Sequence, residues 1–155
     1  MSKVYVEAEG VVDAPAQEVY GIIADYEHGH PHILPEEHFS DLAVEAGGRG
    51  EGTIVRFRNK AGGVDRAYRM LVTEPEPGRV LVEKDANGTD LATTFTVKAL
   101  DGGKSSVRIS TEWTASGGVA GLVERLFAPR MLRPVYEKEL RLLGEFASSR
   151  SGVMV

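Results

Sequence analysis

All four histidines of this chain lie close together, at positions 28, 30, 32 and 38. Histidine is the commonest metal ligand, and a His-x-His spacing in an extended segment places imidazoles on one side. Pro31 interrupts the run, and no carboxylate stands at a spacing that would complete a ligand set. We therefore predict no metal site. We expect a loop at the mouth of a cavity, where a histidine such as His30 contacts a ligand and is a catalytic candidate.

Arg66 and Tyr68 are a second group with chemical potential, because alternate residues of a β-strand point to the same face. A guanidinium or a tyrosine hydroxyl can stabilise negative charge that develops on an oxygen atom. We therefore treat both as catalytic candidates. The alternative interpretation is structural: Tyr68 is a core aromatic whose hydroxyl finds a partner, and Arg66 extends to solvent from the end of a strand.

Other catalytic motifs are missing from the sequence. There is no cysteine, which excludes disulfides, thiolate nucleophiles and cysteine-bound zinc. Gly103-Lys104-Ser105 lacks the first glycine of a phosphate-binding loop, and no Gly-x-Ser-x-Gly sequence occurs. The acids stand mostly beside basic residues or in turns. We therefore predict that they are solvated, and we predict neither a catalytic carboxylate pair nor a cofactor.

The length, the net charge and the hydrophobicity of the chain limit the classes of protein to which it can belong. A chain of 155 residues fits one domain, residues 1–155, and its formal net charge of −5 disfavours nucleic-acid binding, which depends on lysine and arginine. Acids stand near the N-terminus where a signal peptide would be apolar, and no window approaches the roughly 20 apolar residues of a membrane span. We therefore expect a cytoplasmic protein with no nucleic-acid partner and no integral membrane association.

Turn-forming residues separate a series of short extended segments. Asn87-Gly88, for example, is typical of a two-residue hairpin, and close turns make neighbouring strands antiparallel. A short helix is predicted from Asp13 to about Asp25, and the less regular stretch Tyr26–Glu37 is either a second short helix or a loop. Strands are predicted at Val4–Val12, Phe39–Ala46, Thr53–Asn59, Val64–Glu74, Arg79–Asp85, Leu91–Leu100 and Lys104–Thr114.

Alternation along these strands predicts which side chains share the face that a helix would cover. That face is mainly apolar, but it also carries hydroxyl groups, an amide and Arg66. A mainly apolar wall with a few polar groups is typical of a small-molecule site. The predicted ligand-binding residues of the strands are Phe57, Asn59, Tyr68, Met70, Thr93, Phe95, Ile109, Thr111 and Trp113.

The segment from Gly118 to Arg150 has the pattern of one long amphipathic helix. At 1.5 Å per residue, about 30 residues reach roughly 45 Å, enough to cross the uncovered sheet face. Pro129 and Pro134 interrupt the pattern, which predicts a kink or two separate parts. The helix is predicted to add Val119, Leu122, Leu126, Phe127, Met131 and Val135 to the ligand-binding surface.

Four segments carry a resemblance to a known family: Val12–Tyr20, Gly50–Thr53, Thr73–Arg79 and Leu126–Leu143. They resemble the START-related, birch-pollen-allergen-like superfamily, often called SRPBCC, and in particular its polyketide cyclase/dehydrase branch. The resemblance implies an α+β helix-grip fold, in which a curved seven-stranded antiparallel sheet wraps around a long C-terminal helix. Two short helices are expected between strands 1 and 2.

The resemblance also implies what the chain does, because members bind lipids, polyketides, hormones or other hydrophobic molecules in the cavity. The first hypothesis is therefore a binding protein for a hydrophobic, lipid- or polyketide-like small molecule. The second is a polyketide cyclase or aromatase, in which Tyr68, Arg66 or a loop histidine would hold an enolate oxygen or move a proton. The third is a protein-interaction module with an incidental cavity, which a large exposed apolar patch would favour.

Overall fold

The computed structural model describes residues 2–61 and 63–153, with side chains as far as residue 150. Its strands pair in the order β1-β7-β6-β5-β4-β3-β2, with every neighbour antiparallel. Consecutive strands from β2 to β7 are therefore hairpins, and β1 closes the other edge against β7. The strands are β1 (Lys3–Val12), β2 (Phe39–Ala46), β3 (Ile54–Ala61), β4 (Val64–Glu76), β5 (Val80–Asp85), β6 (Ala92–Leu100) and β7 (Lys104–Thr114).

The sheet is irregular where it bends. The register between β2 and β3 shifts twice, between Ser40 and Ala43 and between Val44 and Ala46. A further shift between Thr73 and Glu76 interrupts the pairing of β4 with β5. Such bulges bend a strand and increase its twist, so the sheet curves around the helix that covers it.

Two short helical segments connect the edge strands β1 and β2. Helix α1 (Ala16–Ala24) begins after Pro15, and a 3₁₀ helix spans His30–Ile33. Gly29 precedes the 3₁₀ helix, and a Cβ atom at this position would lie 2.4 Å from the carbonyl oxygen of Ile22. Only glycine permits this close approach, which brings the side chain of His30 under α1.

Helix α2 (Gly118–Val153) crosses the sheet and packs mainly against β1. It runs as one helix of 36 residues through Pro129 and Pro134, so the predicted alternative of two separate parts is wrong. Its inward side joins the strands in one core, which includes Val6, Ile109 and Leu143. Among the described residues, no helix is both long enough and apolar enough to cross a lipid bilayer.

The predicted fold is confirmed: a seven-stranded antiparallel sheet grips a long C-terminal helix. Element bounds differ from the predicted ones by a few residues, and β3 reaches Ala61 where the prediction ended at Asn59. The open alternative for Tyr26–Glu37 is resolved as a short 3₁₀ helix, His30–Ile33, with loops on both sides. Gly62, in the middle of the predicted turn between β3 and β4, lies outside the described residues.

Candidate functional site

A cavity of about 500 Å³ lies between the sheet and α2. Strands β2 to β7 form one wall, α2 forms the opposite wall, and the 3₁₀ segment with its flanking loops covers one end. Most of the side chains in its walls are apolar or aromatic. They include Leu34, Phe39, Leu42, Val55, Phe57, Met70, Leu91, Phe95, Leu132 and Val135.

Most of the predicted site residues line this cavity. The strand phase explains the agreement, since Phe57 pairs with Tyr68 and Thr93 pairs with Thr111 across neighbouring strands. That these residues bind a ligand stays a prediction. The lining includes Phe57, Asn59, Tyr68, Met70, Thr93, Phe95, Thr111, Trp113, Met131 and Val135, together with the catalytic candidates Arg66 and His30.

The other predicted residues are not part of the cavity wall. Ile109 has the predicted inward orientation, but it is buried in the core beyond the cavity. Leu122, Leu126 and Phe127 lie on the outer side of α2, where Leu126 is 57% exposed, and Val119 is exposed as well. The prediction that α2 presents these residues to the cavity is therefore wrong. They form an exposed apolar stripe on the first half of the helix.

The face of α2 that lines the cavity has a different helical phase. Its residues recur every three or four positions, as one face of an α-helix requires. The predicted face was the most apolar stripe of the helix. The face that lines the cavity instead has a glutamate at each end, Glu124 and Glu139. The lining residues of α2 are Glu124, Ala128, Met131, Leu132, Val135, Tyr136 and Glu139.

Burial distinguishes two ends of the cavity, which α2 connects. At one end, here named the closed end, all the polar lining residues are buried. At the other end, the mouth, several lining residues are exposed to solvent. The closed end consists of Tyr26, His30, Glu83, Thr111, Tyr136 and Glu139. The mouth consists of Val64, Arg66, Thr89, Asp90, Trp113, Thr114, Ser116 and Glu124.

Glu83 organises one side of the closed end. Tyr26 donates its hydroxyl to Oε2 of Glu83 at 2.5 Å, and Nε2 of His30 lies 3.6 Å from the same oxygen. Burial, together with the negative charge of Glu83, raises the pKa of Tyr26 well above its ordinary value. Tyr26 therefore remains a hydroxyl donor.

His30 is held in one orientation. Its Nδ1 lies 2.7 Å from the carbonyl oxygen of Ile23, and because a carbonyl only accepts, Nδ1 carries the proton and donates it. The ring also stacks on Tyr26, with ring centres 4.4 Å apart, and meets Phe95 edge-on. In a neutral imidazole this tautomer leaves Nε2 unprotonated, facing Glu83 and able to accept a proton.

Glu139 brings a second carboxyl group to the closed end, and its side chain is only 3% exposed. Burial first, and the negative charge of Glu83 second, raise the pKa of Glu139 well above the ordinary glutamate value. No hydrogen bond or ion pair joins its carboxyl to another described residue. Among the described residues, every side-chain oxygen or nitrogen that is completely buried has a hydrogen-bond partner. The carboxyl oxygens of Glu139 have no such partner, so they must be accessible from the cavity.

A chain of hydroxyl groups connects the closed end to the half-buried Thr93. The hydroxyl of Tyr136 lies 2.5 Å from Oγ1 of Thr111, which lies 2.8 Å from Oγ1 of Thr93. Burial raises the pKa of Tyr136. All three hydroxyls therefore remain protonated near neutral pH, and each satisfies its neighbour in a largely apolar setting.

The mouth has a different electrostatic character. Glu124 accepts hydrogen bonds from the indole N–H of Trp113 at 3.1 Å and from the backbone N–H of Ser116 at 2.7 Å. The Ser116 and Trp113 donors, with a smaller contribution from the charge of Arg66, lower the pKa of Glu124. Glu124 is thus a fixed carboxylate beside the opening, in contact with solvent.

Only one histidine of the predicted cluster reaches the cavity. His28 is exposed, His32 stacks on Phe146 with ring centres 4.5 Å apart, and Nδ1 of His38 bonds the carbonyl oxygen of Lys60. His30 is buried at the closed end, so the prediction of a solvated loop at the mouth is wrong for this residue. Within residues 2–61 and 63–153, no cluster of three potential ligands could hold a metal ion.

Neither buried acid is among the predicted site residues, because acids beside basic residues or in turns are expected to be solvated. A signal for Glu83 was available: it pairs with Thr93 as Leu81 pairs with Phe95, so it shares the inward face of β5. For Glu139 the signal is helical spacing, since it follows Val135 by four positions and Tyr136 by three. Neither pattern reveals burial until the opposite wall of the cavity is known.

Comparison with known proteins places the chain in a family. Residues 3–145 match the family model described as polyketide cyclase / dehydrase and lipid transport. The KanY protein, solved by NMR, is 32% identical, with a TM-score of 0.82 over 96% of this chain and 99% of that one. No curated protein sequence matches the chain.

Two more distant solved structures share the fold. The ZhuI aromatase/cyclase from Streptomyces sp. R1128 is 17% identical, with a TM-score of 0.78 over 97% of this chain and 96% of that one. A truncated norcoclaurine synthase from Thalictrum flavum is also 17% identical, with a TM-score of 0.71 over 94% and 93%. At such identities the likeness shows the fold alone. The family match and the KanY protein confirm the resemblance to the polyketide cyclase/dehydrase branch, and the chain belongs to the polyketide cyclase / dehydrase and lipid transport family.

Proposed function

We propose that this protein binds a hydrophobic small molecule, lipid- or polyketide-like, in the cavity between the sheet and α2. The observation that carries the proposal is the cavity itself, with about 500 Å³ of space, mainly apolar walls and a buried polar group at one end. Small-molecule sites commonly enclose roughly 300–1,000 Å³ and combine apolar walls with a few orienting polar groups. Membership of a family described by polyketide cyclase, dehydrase and lipid transport functions supports the same class of ligand.

The test uses N-phenyl-1-naphthylamine, a neutral apolar dye whose fluorescence increases when it leaves water. Ala128 is a small side chain on the cavity face of α2, so Ala128→Trp fills the space that a ligand would occupy. Ala120 is exposed on the same helix, and Ala120→Trp is the matched control. We expect the wild type and the control to bind the dye, and Ala128→Trp to bind it roughly tenfold more weakly or worse.

Native mass spectrometry of freshly purified wild-type protein complements the titration, because a co-purified small molecule would be visible directly. Circular dichroism establishes that both variants are folded. Dye binding by folded Ala128→Trp with wild-type affinity would contradict the proposal, and so would a wild type that binds no dye.

A second candidate function is acid–base catalysis on the bound molecule, as in a polyketide cyclase or aromatase. The observation that favours it is His30, whose Nδ1–H bond to Ile23 leaves Nε2 as a base within 3.6 Å of Glu83 Oε2. A carboxylate beside an imidazole stabilises the imidazolium that forms when the base takes a proton. Tyr68 and Arg66, which line the sheet wall of the cavity, would hold the developing oxyanion.

Turnover of a linear poly-ketone thioester tests this candidate. His30→Ala should lower kcat by roughly a hundredfold or more, the usual contribution of a positioned general base. His28→Ala, which changes an exposed histidine, should leave kcat unchanged. Unchanged turnover in Tyr68→Phe would remove Tyr68 from the mechanism, and unchanged turnover in His30→Ala would exclude His30 as the base.

A further inference from the structure

The polar groups at the closed end of the cavity are not equivalent. The Glu83 carboxyl already accepts the hydroxyl of Tyr26 and faces His30, and the Tyr136 hydroxyl is engaged with Thr111. The Glu139 carboxyl alone has neither a hydrogen bond nor an ion pair within residues 2–61 and 63–153. A buried polar group without a partner costs free energy, so this one is available to a ligand.

Its surroundings determine which form of the carboxyl meets that ligand. Burial and the nearby Glu83 carboxyl both disfavour the charged form, and they raise the pKa of Glu139 well above its ordinary value. A carboxyl group that an apolar site keeps neutral has one O–H and can donate it in a hydrogen bond. The closed end therefore offers a donor to an oxygen atom that enters the cavity.

The same surroundings discriminate among head groups. A carboxylate on the ligand would face two glutamates, with His30 as the only basic side chain at the closed end. An ammonium group would have to give up its hydration shell in a mainly apolar cavity, next to a Glu83 carboxyl that is already engaged by Tyr26. A neutral oxygen acceptor meets neither cost.

We propose that Glu139 is the specificity-determining residue of the cavity and that, as a neutral carboxylic acid, it donates a hydrogen bond to an oxygen of carbonyl type on an uncharged apolar ligand. This inference rests on the proposed binding function and adds the chemical class of the ligand. The apolar body of the ligand fills the space between β2–β7 and α2, and its oxygen points to the closed end.

Competition against N-phenyl-1-naphthylamine at pH 7 tests the preference for a neutral oxygen. The probes are 2-undecanone, undecylamine and undecanoate, which share a chain length and differ in head group. We expect 2-undecanone to displace the dye from wild-type protein at concentrations roughly tenfold lower than the other two require. Preference for the amine or for the carboxylate would overturn the inference.

The variants Glu139→Leu and Glu139→Gln assign the preference to this side chain. Leucine removes the donor, so the affinity for 2-undecanone should fall roughly five- to tenfold relative to the affinity for the dye. Glutamine keeps an N–H donor and should retain part of the ketone affinity. Thermal unfolding establishes that both variants are folded, and an unchanged ratio of ketone to dye affinity in Glu139→Leu would overturn the inference.

A spectroscopic readout separates a donated hydrogen bond from a change of shape. Prodan, a fluorescent naphthyl ketone, emits at longer wavelength when its carbonyl oxygen accepts a hydrogen bond. Bound prodan should emit at shorter wavelength in Glu139→Leu than in the wild type, with Glu139→Gln between them. Equal emission in all three proteins would overturn the inference. A wild type that binds neither dye nor ketone would overturn the binding function as well, whereas dye binding without ketone preference would overturn this inference alone.

Discussion

Glu124 and Glu139 stand on the same helix and line the same cavity, about four turns or roughly 22 Å apart, yet their environments are opposite. At the mouth, Glu124 accepts hydrogen bonds from Trp113 and Ser116, and its pKa is lowered. At the closed end, Glu139 is buried near Glu83 without a hydrogen bond from the described residues, and its pKa is raised.

The comparison shows that residue type alone does not determine the charge at a cavity wall. Donors from Ser116 and Trp113 stabilise the carboxylate of Glu124, while loss of water and a second acid destabilise that of Glu139. A ligand that enters past a carboxylate with a lowered pKa therefore meets, at the far end, a carboxyl group whose pKa is raised. The following predictions test this difference between the mouth and the closed end.

The largest effect is expected from Glu83→Ala. The change removes the acceptor of the buried Tyr26 hydroxyl and the acid that faces His30, and it leaves an empty space. The free energy of unfolding, measured with urea at pH 7, should fall by about 2–4 kcal/mol. Asp90→Ala removes an exposed carboxylate at the mouth and should lower the free energy of unfolding much less. Equal losses in the two variants would contradict the distinction.

Glu139→Leu should stabilise the protein above neutral pH. The folded-state pKa of Glu139 lies above the unfolded value, so the bound proton favours folding at low pH, and this advantage is lost as the pH rises through the folded-state pKa. Leucine has no proton to lose, and we expect a gain of roughly 1–2 kcal/mol at pH 8 that diminishes toward pH 4.

Urea unfolding at several pH values measures this gain, and Glu124→Leu is the matched control. Its lowered pKa means that Glu124 stabilises the folded state above the unfolded pKa. Replacing it should therefore lower stability at pH 8. Destabilisation by Glu139→Leu at pH 8 would show that its carboxyl is ionised and partnered in the folded protein.

Strand β7 has one threonine at the closed end of the cavity, Thr111, and one at the mouth, Thr114, so the same substitution can be made at both ends of the cavity. Thr111→Val breaks contacts of 2.5 Å with Tyr136 and 2.8 Å with Thr93 in a buried setting, and should cost about 1–2 kcal/mol. Thr114→Val removes a hydroxyl that donates to the exposed Asp90, and should cost no more than about 0.5 kcal/mol. Urea unfolding of both variants gives the comparison, and a larger loss at Thr114 would reverse it.

The smallest effect is expected at the mouth itself. Trp113 is the only tryptophan of the chain, so its fluorescence reports on Glu124. Because the pKa of Glu124 is lowered, its carboxylate should become protonated only as the pH falls below 4.5, the ordinary glutamate value. Protonation should weaken the hydrogen bond from Trp113 and change the tryptophan fluorescence. Glu124→Gln should abolish this transition and change the free energy of unfolding by less than about 0.5 kcal/mol. A transition that persists in the variant would belong to another group.

The strands and turns were predictable because their signals are local. Alternation within β3, β4, β6 and β7 assigned Phe57, Tyr68, Phe95 and Thr111 to the face that now lines the cavity. The phase of α2 was not predictable in the same way. Its most apolar stripe, with Leu122 and Leu126, is exposed, and no local pattern states which side of a helix a curved sheet will cover.

The acids at the closed end were missed for a related reason. Glu83 meets Tyr26 across 57 positions of sequence, and Glu139 is near Glu83 only because α2 crosses the sheet. From the sequence alone, a glutamate is expected to be exposed to solvent, because glutamates are rarely buried and the residues that would surround it in space are unknown. The burial of His30 is equally hidden from the local sequence, because its position under α1 depends on the close approach of Gly29 to Ile22.

The sequence by itself determined the hairpins, the long C-terminal helix and the inward faces of the strands, because these depend on side-chain alternation and turn chemistry over a few residues. The tertiary structure alone decided which face of α2 lines the cavity, which histidine is buried there, and that the pKa of Glu124 is lowered while that of Glu139 is raised. These properties depend on water lost and on partners gained from distant parts of the chain.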